Sequence, residues 1–384
     1  MKAPRINLHL LSATSLLVAL ALAAAPAAHA KGHFYVQHNL VSDGAVPADN
    51  TDPNLVNAWG VAFNPFGPVW VADNGSGVST LYNGDGIPQP LTPKPLVVNI
   101  PLPKEPSDGG SPTGIVFNGS GGFTVSSGTS SGPSRFIFAT EDGAIVGWAP
   151  SVDPTHAILL VDNSASGAVY KGLALSAVGS GPLLYATDFV NNKIDVFNGS
   201  LTPVIIPGAF TDPRLPAGFA PFGIQAINGD IYVSYAKQSG GKDELHGKGL
   251  GFVNVFDPSG HLIRRVASRG NLNAPWGMAL APAGFGKFSN HLLVGNFGDG
   301  RINAYDPATG EFVGQLKAAH SRRPIEIDGL WGLAFGNGFA SQPVNTLFFA
   351  AGPNDEANGL YGRIDVDMTA NGEHDNDRHA DGDD

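Results

Sequence analysis

The chain has 384 residues, a formal charge of −11 and no cysteine. The missing cysteines exclude disulfides, thiol nucleophiles, Cys-zinc sites and covalently attached c-type haem. Only 14% of residues are charged, while 51 Gly and 30 Pro make up about a fifth of the chain. That composition excludes a helical protein and suits short strands joined by many turns.

In chain order, residues 1–30 read as a signal peptide. Lys2 and Arg5 form a basic start, Leu10–Ala25 is apolar, and "AHA" at 28–30 is a small-x-small cleavage site. Cleavage would make Lys31 the mature N-terminus and the protein secreted or periplasmic. No second apolar span follows, so no membrane span is expected after cleavage. "FYVQHNLV" (34–41) then reads as a strand that belongs to no unit of its own.

From there one pattern recurs six times. A Gly opens an apolar run in "NAWGVAF" (57–63), "SPTGIVF" (111–117), "VYKGLAL" (169–175), "APFGIQAI" (220–227), "APWGMAL" (274–280) and "GLWGLAF" (329–335). A second run follows each of these, such as "VWVAD" (69–73) or "LLYAT" (183–187). A third follows in turn, such as "KIDVFNGS" or "RINAYDPATG". The Gly residues stand 54, 58, 51, 54 and 55 positions apart, and Asp-Gly, Asn-Gly and Asp-Pro turns punctuate the units. A period near fifty with three or four short strands per unit predicts an all-β, six-bladed β-propeller. The repeated Gly would let neighbouring backbones crowd near the axis. Five units have room for a fourth, outer strand. The last does not, so residues 34–41 are expected to supply it and close the ring. The domain boundaries are then 1–30, 31–366 for the propeller, and 367–384 for an acidic disordered tail.

Two segments depart from the unit. Residues 118–134 widen a loop of the second blade and residues 236–249 widen a connection of the fourth. Either is a flexible insertion or a place where function sits. Residues 365–384 hold eight acids and one Arg, so about half of the acidity is a tail. Neither tail nor body offers the basic stripe that nucleic-acid binding needs, and a monomer is expected.

The residue before each Gly should stand at one mouth of the axial channel, which gathers Trp59, Thr113, Lys171, Phe222, Trp276 and Trp331. Tyr235 closes a second strand at the same end. Such rings either pack the blades together or form an aromatic funnel for a small molecule, glycan or peptide. The leading expectation is a binding or scaffold protein with its ligand at this aromatic mouth.

The units resemble the NHL and gluconolactonase-like six-bladed propellers. The string "NLVSD…DPNLVNAWGVAFNP…VWVADNGSGVSTLYNGDG", with "FIFATEDGAIVGW" and "LFFAAGPNDEANGLYG", is similar to a family of secreted bacterial propellers, some of which end in a PEP-CTERM sorting tail. This chain ends instead in "HDNDRHADGDD". The gluconolactonase-like resemblance implies a divalent cation, Ca²⁺ or Mg²⁺, held by Glu, Asn and Asp near the axis. Candidate positions here are Asp73, Asp188, Asn296, Glu326 and Asp328, the last two in "EIDGLWGLAF". That resemblance supplies the alternative function, a metal-assisted hydrolase or lyase.

Overall fold

The computed structural model describes residues 34–104, 107–178 and 181–369. The expected signal peptide and most of the acidic tail lie outside the described residues.

Each unit of the repeat forms one antiparallel sheet, and the six sheets are the blades of a propeller. The innermost strands are Ala58–Phe63, Pro112–Phe117, Tyr170–Val178, Phe219–Ile227, Pro275–Leu280 and Leu330–Phe335. The second strands, from Val69–Asp73 in blade 1 to Leu347–Ala351 in blade 6, return to the end where the first began. Side chains of adjacent blades interdigitate in a separate apolar cluster at each blade-to-blade contact. Trp70, Phe136 and Trp148 fill the contact between blades 1 and 2. Tyr185, Phe219 and Phe252 fill that between blades 3 and 4.

The recurrent Gly has a steric cause. Each of the six faces the backbone of the next innermost strand. A Cβ on Gly60 would lie 2.5 Å from the Thr113 carbonyl oxygen, and one on Gly223 would lie 2.1 Å from that of Trp276. The circuit closes at Gly332, where a Cβ would meet the Trp59 carbonyl at 2.4 Å. No side chain fits there, so the ring needs Gly at one position in every blade.

The clasp forms as the sequence predicts. Tyr35–Ser42 pairs antiparallel with Leu360–Val366, from Tyr35 opposite Val366 to Ser42 opposite Leu360, with a bulge between Asn39 and Val41. Asn50–Thr51 then adds a parallel edge to this strand. Blade 6 therefore takes strands from both ends of the described chain.

One blade departs from the expectation. Blades 1, 2, 4 and 5 have outer strands, at Val97–Asn99, Ile158–Asp162, Leu262–Ser268 and Phe312–Gln315. Blade 3 stops at its third strand, Lys193–Asn198. The segment beyond it makes a single bridge at Pro203, flanked by bonds from Asn198 N–H to the Thr202 carbonyl and from Val204 N–H to the Val196 carbonyl. Pro203 and Pro207 have no N–H to give, and a ladder cannot extend through them.

The two widened segments are both ordered. Residues 118–134 contain the hairpin Thr124–Ser127 and Ser130–Pro133, anchored by buried Phe123 and Val125. Within 236–249, Glu244–Leu245 folds back on Lys237–Gln238 as a short ribbon.

Candidate functional site

The innermost strands begin at the same end of the axis as the loops joining second to third strands. Trp59, Trp276, Trp331 and Phe222 meet there with Phe189 and Phe297. Trp59 and Trp331 stack with centroids 3.5 Å apart, and Trp276 stands edge-on to both at 6.1 and 5.7 Å. Phe297 stacks on the other side of Trp331 at 3.9 Å. The three indoles cover one another, and none is more than 9% exposed. They form a layer across the axis, from Trp276 of blade 5 to Trp59 of blade 1. The Trp276 indole N–H donates to the Lys171 carbonyl at 2.9 Å, while those of Trp59 and Trp331 have no hydrogen-bond partner among the described residues.

A polar group lies on this layer, built from the second-to-third-strand loops of four blades together with Lys171 of the third innermost strand and Asn57 at the start of the first. Lys171 is buried with its ammonium 5.0 Å from the Trp59 ring centroid. It donates to Glu141 Oε1 at 2.6 Å. Asn74 of blade 1 donates to Glu141 Oε2 at 3.2 Å. Asn57 bridges Asn74 Oδ1 and Glu356 Oε1 of blade 6, at 3.2 and 3.1 Å. The ribbon of blade 4 brings in His246, whose Nε2 lies 3.5 Å from Glu244 Oε1 and whose ring meets Phe297 of blade 5 edge-on at 4.9 Å.

These contacts shift the proton affinities. Burial alone would raise the Glu141 carboxyl, but the Lys171 charge and hydrogen bond outweigh it and hold the group below the ordinary value. Burial works against the Lys171 ammonium, and the charges of Glu141 and Glu244 overcome it and lift Lys171 above its ordinary value. Burial raises Glu356, with the Glu141 and Glu244 charges adding to it and Asn57 and Lys171 opposing. Glu244 raises His246 against its partial burial. The group therefore combines a fixed ion pair with two groups, Glu356 and His246, that hold protons more readily than usual.

Tyr235 does not join this site. It packs between blades 3 and 4. The five metal candidates do not converge either. Asp188 accepts from Val169 N–H and from the backbone and side chain of Asn191. Asn296 is held by Asn271, Asn273 and Asp299. Exposed Glu326 pairs with Arg301 at 2.7 Å, and Asp328 accepts from Asn354 N–H. Among the described residues no group of three or more His, Asp or Glu side chains could hold a metal ion. A Ca²⁺ or Mg²⁺ ion needs about six or more oxygens directed at one point, and this donor set does not supply them.

Asp73, the fifth candidate, is fully buried inside blade 1. It accepts from Thr80 Oγ1 at 2.8 Å, and its other oxygen has no hydrogen-bond partner among the described residues. Burial raises its carboxyl well above the ordinary value, and the neighbouring Asp52 adds to the rise. The folded chain then keeps a proton that the unfolded chain releases. The stability it supports is full below the ordinary carboxyl value and declines as pH rises toward the folded one. Asp73→Asn keeps the shape without the titration. We expect it to be ~1–2 kcal/mol more stable than the native chain at pH 8 and equal to it near pH 4. Urea unfolding at both pH values measures this, and a gain that does not grow with pH would show Asp73 to be ionised in the fold.

Comparison with known proteins places the chain among viral relatives. It is 34% identical over 338 residues to "Uncharacterized protein R648" of Acanthamoeba polyphaga mimivirus, covering 86% of this chain and 80% of that protein. It is 32% identical over 337 residues to "Uncharacterized protein L690" of the same virus, covering 86% and 85%. The chain belongs to their family. No protein-family model matches it. Among solved structures, it is similar to a structural-genomics protein of unknown function from Bacteroides thetaiotaomicron (TM-score 0.51, 12% identity, 86% of this chain and 76% of that one). It is also similar to the PQQ-bound aldose sugar dehydrogenase of Streptomyces coelicolor (0.49, 13%, 88% and 99%) and to a streptogramin B lyase (0.48, 14%, 87% and 98%). At such identities the likeness concerns the fold alone.

Sequence reasoning located Trp59, Lys171, Phe222, Trp276 and Trp331 at one end. It did not single out Glu244, His246 or Glu356 as site residues. Glu244 and His246 sit in the widened connection at 236–249, which was the available signal.

Proposed function

We propose that the protein is a binding propeller whose ligand sits on the loop face, over the Lys171–Glu141 pair and the tryptophan layer. The observation that carries this reading is the meeting of Asn74, Glu141, Lys171, His246 and Glu356 from five blades above one aromatic floor. Loops on a rigid ring are where binding groups are usually presented. Acids outnumber bases around it, with Glu141, Glu244, Glu356, Asp243 and Asp355 set against Lys171, Lys242 and half-exposed His246. The ligand is therefore a small molecule, glycan or peptide that presents a positive charge. Export to the periplasm or medium, expected from residues 1–30 and from the likeness to secreted bacterial propellers, belongs to the same proposal.

Isothermal titration with spermidine, agmatine and the neutral disaccharide cellobiose tests it. The cations should bind more tightly at pH 8 than at pH 5, because Glu356 and His246 then lose protons and the face becomes more negative. Glu356→Gln should weaken them about fivefold or more. Equal binding of cellobiose, or no effect of Glu356→Gln, would reject the site.

One observation favours a second reading, a hydrolase or lyase. His246 is half-exposed with Glu244 behind it, and Glu356 is held toward its protonated form, a pairing suited to proton transfer. Conversion of a bound compound, lost in His246→Ala with binding retained, would establish it.

A further inference from the structure

The other end of the axis has different chemistry. The innermost strands touch one another in an unbroken ring. They come closest at the six Gly residues, where only about 30 Å³ is open. Beyond that waist the channel widens into a cavity of about 420 Å³ lined by all six blades. With the tryptophan layer behind the waist, this is a blind funnel and not a through channel.

We propose that the funnel is a second ligand site, which takes an uncharged, compact and largely apolar small molecule. The volume falls in the range of roughly 300–1,000 Å³ typical of small-molecule sites. Val61 and Leu175 give the wall partly exposed apolar surface, and Phe63, Phe117 and Phe335 stand at the rim, while Ile115, Met278 and Leu333 are turned into the blade contacts and present little but backbone. No lining side chain is titratable. An ion entering would lose water and find no counter-charge, so the site selects against charged ligands. Gln225 is the one strongly hydrogen-bonding side chain in the wall, and it is exposed. Each innermost strand is paired on one side only, so its second edge also turns N–H and C=O groups toward the axis. A polar atom on the ligand can therefore be met at the wall while its apolar body fills the funnel.

The rim continues into an apolar apron. Phe66 is 85% exposed and Phe339 is 46% exposed. Their loops, on blades 1 and 6, are tied together by the Asn337 amide, which donates to the Asn64 and Gly67 carbonyls at 2.6 and 2.9 Å. Exposed rings on a fixed loop pair beside an uncharged opening suit an apolar molecule entering from that side. This site is separate from the loop face and does not depend on the function proposed there.

The test uses the chain from Lys31 onward and two fluorescent probes with the same aromatic body. N-phenyl-1-naphthylamine is neutral, and 8-anilino-1-naphthalenesulfonate carries a sulfonate. The neutral probe should bind saturably at one site, and the sulfonate about tenfold or more weakly. Gln225→Trp and Ala334→Trp each place an indole in the funnel from a position with exposed or partly exposed surface. Each should weaken the neutral probe about tenfold or more while leaving the melting temperature in place. Phe66→Ser with Phe339→Ser should leave one-site binding intact with a modest loss. Unchanged binding in both Trp variants, equal binding of the sulfonate, or complete loss in the Phe66/Phe339 variant would overturn the proposal. Self-association of the chain that displaces the probe would also overturn it, by making a second copy the occupant.

Discussion

A chain that begins at residue 44 is expected to melt about 10 °C or more below one that begins at Lys31, or to fail to fold cooperatively. The strand Tyr35–Ser42 is the outer strand of blade 6, but its contacts reach three blades. The Tyr35 hydroxyl donates to the Phe285 carbonyl at 3.1 Å and accepts from Phe288 N–H at 3.3 Å, both in blade 5. Its ring lies 4.9 Å from that of Phe285. Leu40 and Val41 are buried with Val69, Val71 and Tyr82 of blade 1. Losing three such side chains removes ~1.5–3 kcal/mol of burial each, before counting the exposed edge of Leu360–Val366. A domain has only ~5–15 kcal/mol in total, and each kcal/mol moves the melting point by ~2–4 °C in chains of a few hundred residues. A synthetic peptide of residues 34–43 added in trans should recover part of the loss, which separates a missing strand from a merely shortened chain. Coincident melting curves for the two chains would show that the ring closes without its clasp.

The clasp and the blades were legible because each follows from short-range constraints. Gly at one position per unit is required wherever two backbones meet, so Gly60 and Gly332 announce the axis although they lie far apart in the chain. Alternating apolar runs announce strands that pack on two neighbours. The missing outer strand of blade 3 was open to the same reasoning, since Pro203 and Pro207 are visible and cannot extend a ladder. The site was only half legible. Trp59, Trp276 and Trp331 share a repeat position, so their meeting could be foreseen. Their closure into a covered layer depends on ring orientations that no spacing encodes. Glu244 and His246 come from a connection whose length breaks the period, Glu356 from a loop that does not stand out, and nothing local says that these loops fold inward. Asp188, Asn296 and Asp73 show the opposite limit, since each is engaged by nearby backbone or side-chain groups of the fold. A carboxylate or amide at the end of a strand serves its own turn as readily as a ligand, and in sequence the two uses look alike.

The strongest single-residue effect should come from Lys171→Met. Lys171 and Glu141 have side chains only 3% and 12% exposed, and their contact is 2.6 Å. Removing the ammonium leaves a buried carboxylate with Asn74 as its remaining side-chain partner and takes the cation from the Trp59 face. Breaking a buried pair from one side costs ~3–5 kcal/mol. The pH dependence should change as well. In the native chain the lowered Glu141 carboxyl contributes stability above its ordinary value and loses it as pH falls through the folded value. The raised Lys171 ammonium contributes below its ordinary value and loses it as pH rises through the folded value. The pair therefore gives a flat profile through neutrality. In Lys171→Met the nearest counter-charge is gone and only the weaker pull of Lys242 remains, so burial raises Glu141, and stability should be greater near pH 5 than at pH 8. Glu141→Gln should cost less than Lys171→Met, because Glu244 and Asp243 still act on the ammonium. The double variant should recover much of the loss, since two neutral side chains then fill the space. Urea unfolding of the three variants at pH 5 and pH 8 measures each of these. A flat profile in Lys171→Met, or additive losses in the double variant, would show that the two groups are not coupled and that the polar layer above the tryptophans is hydrated instead of sealed.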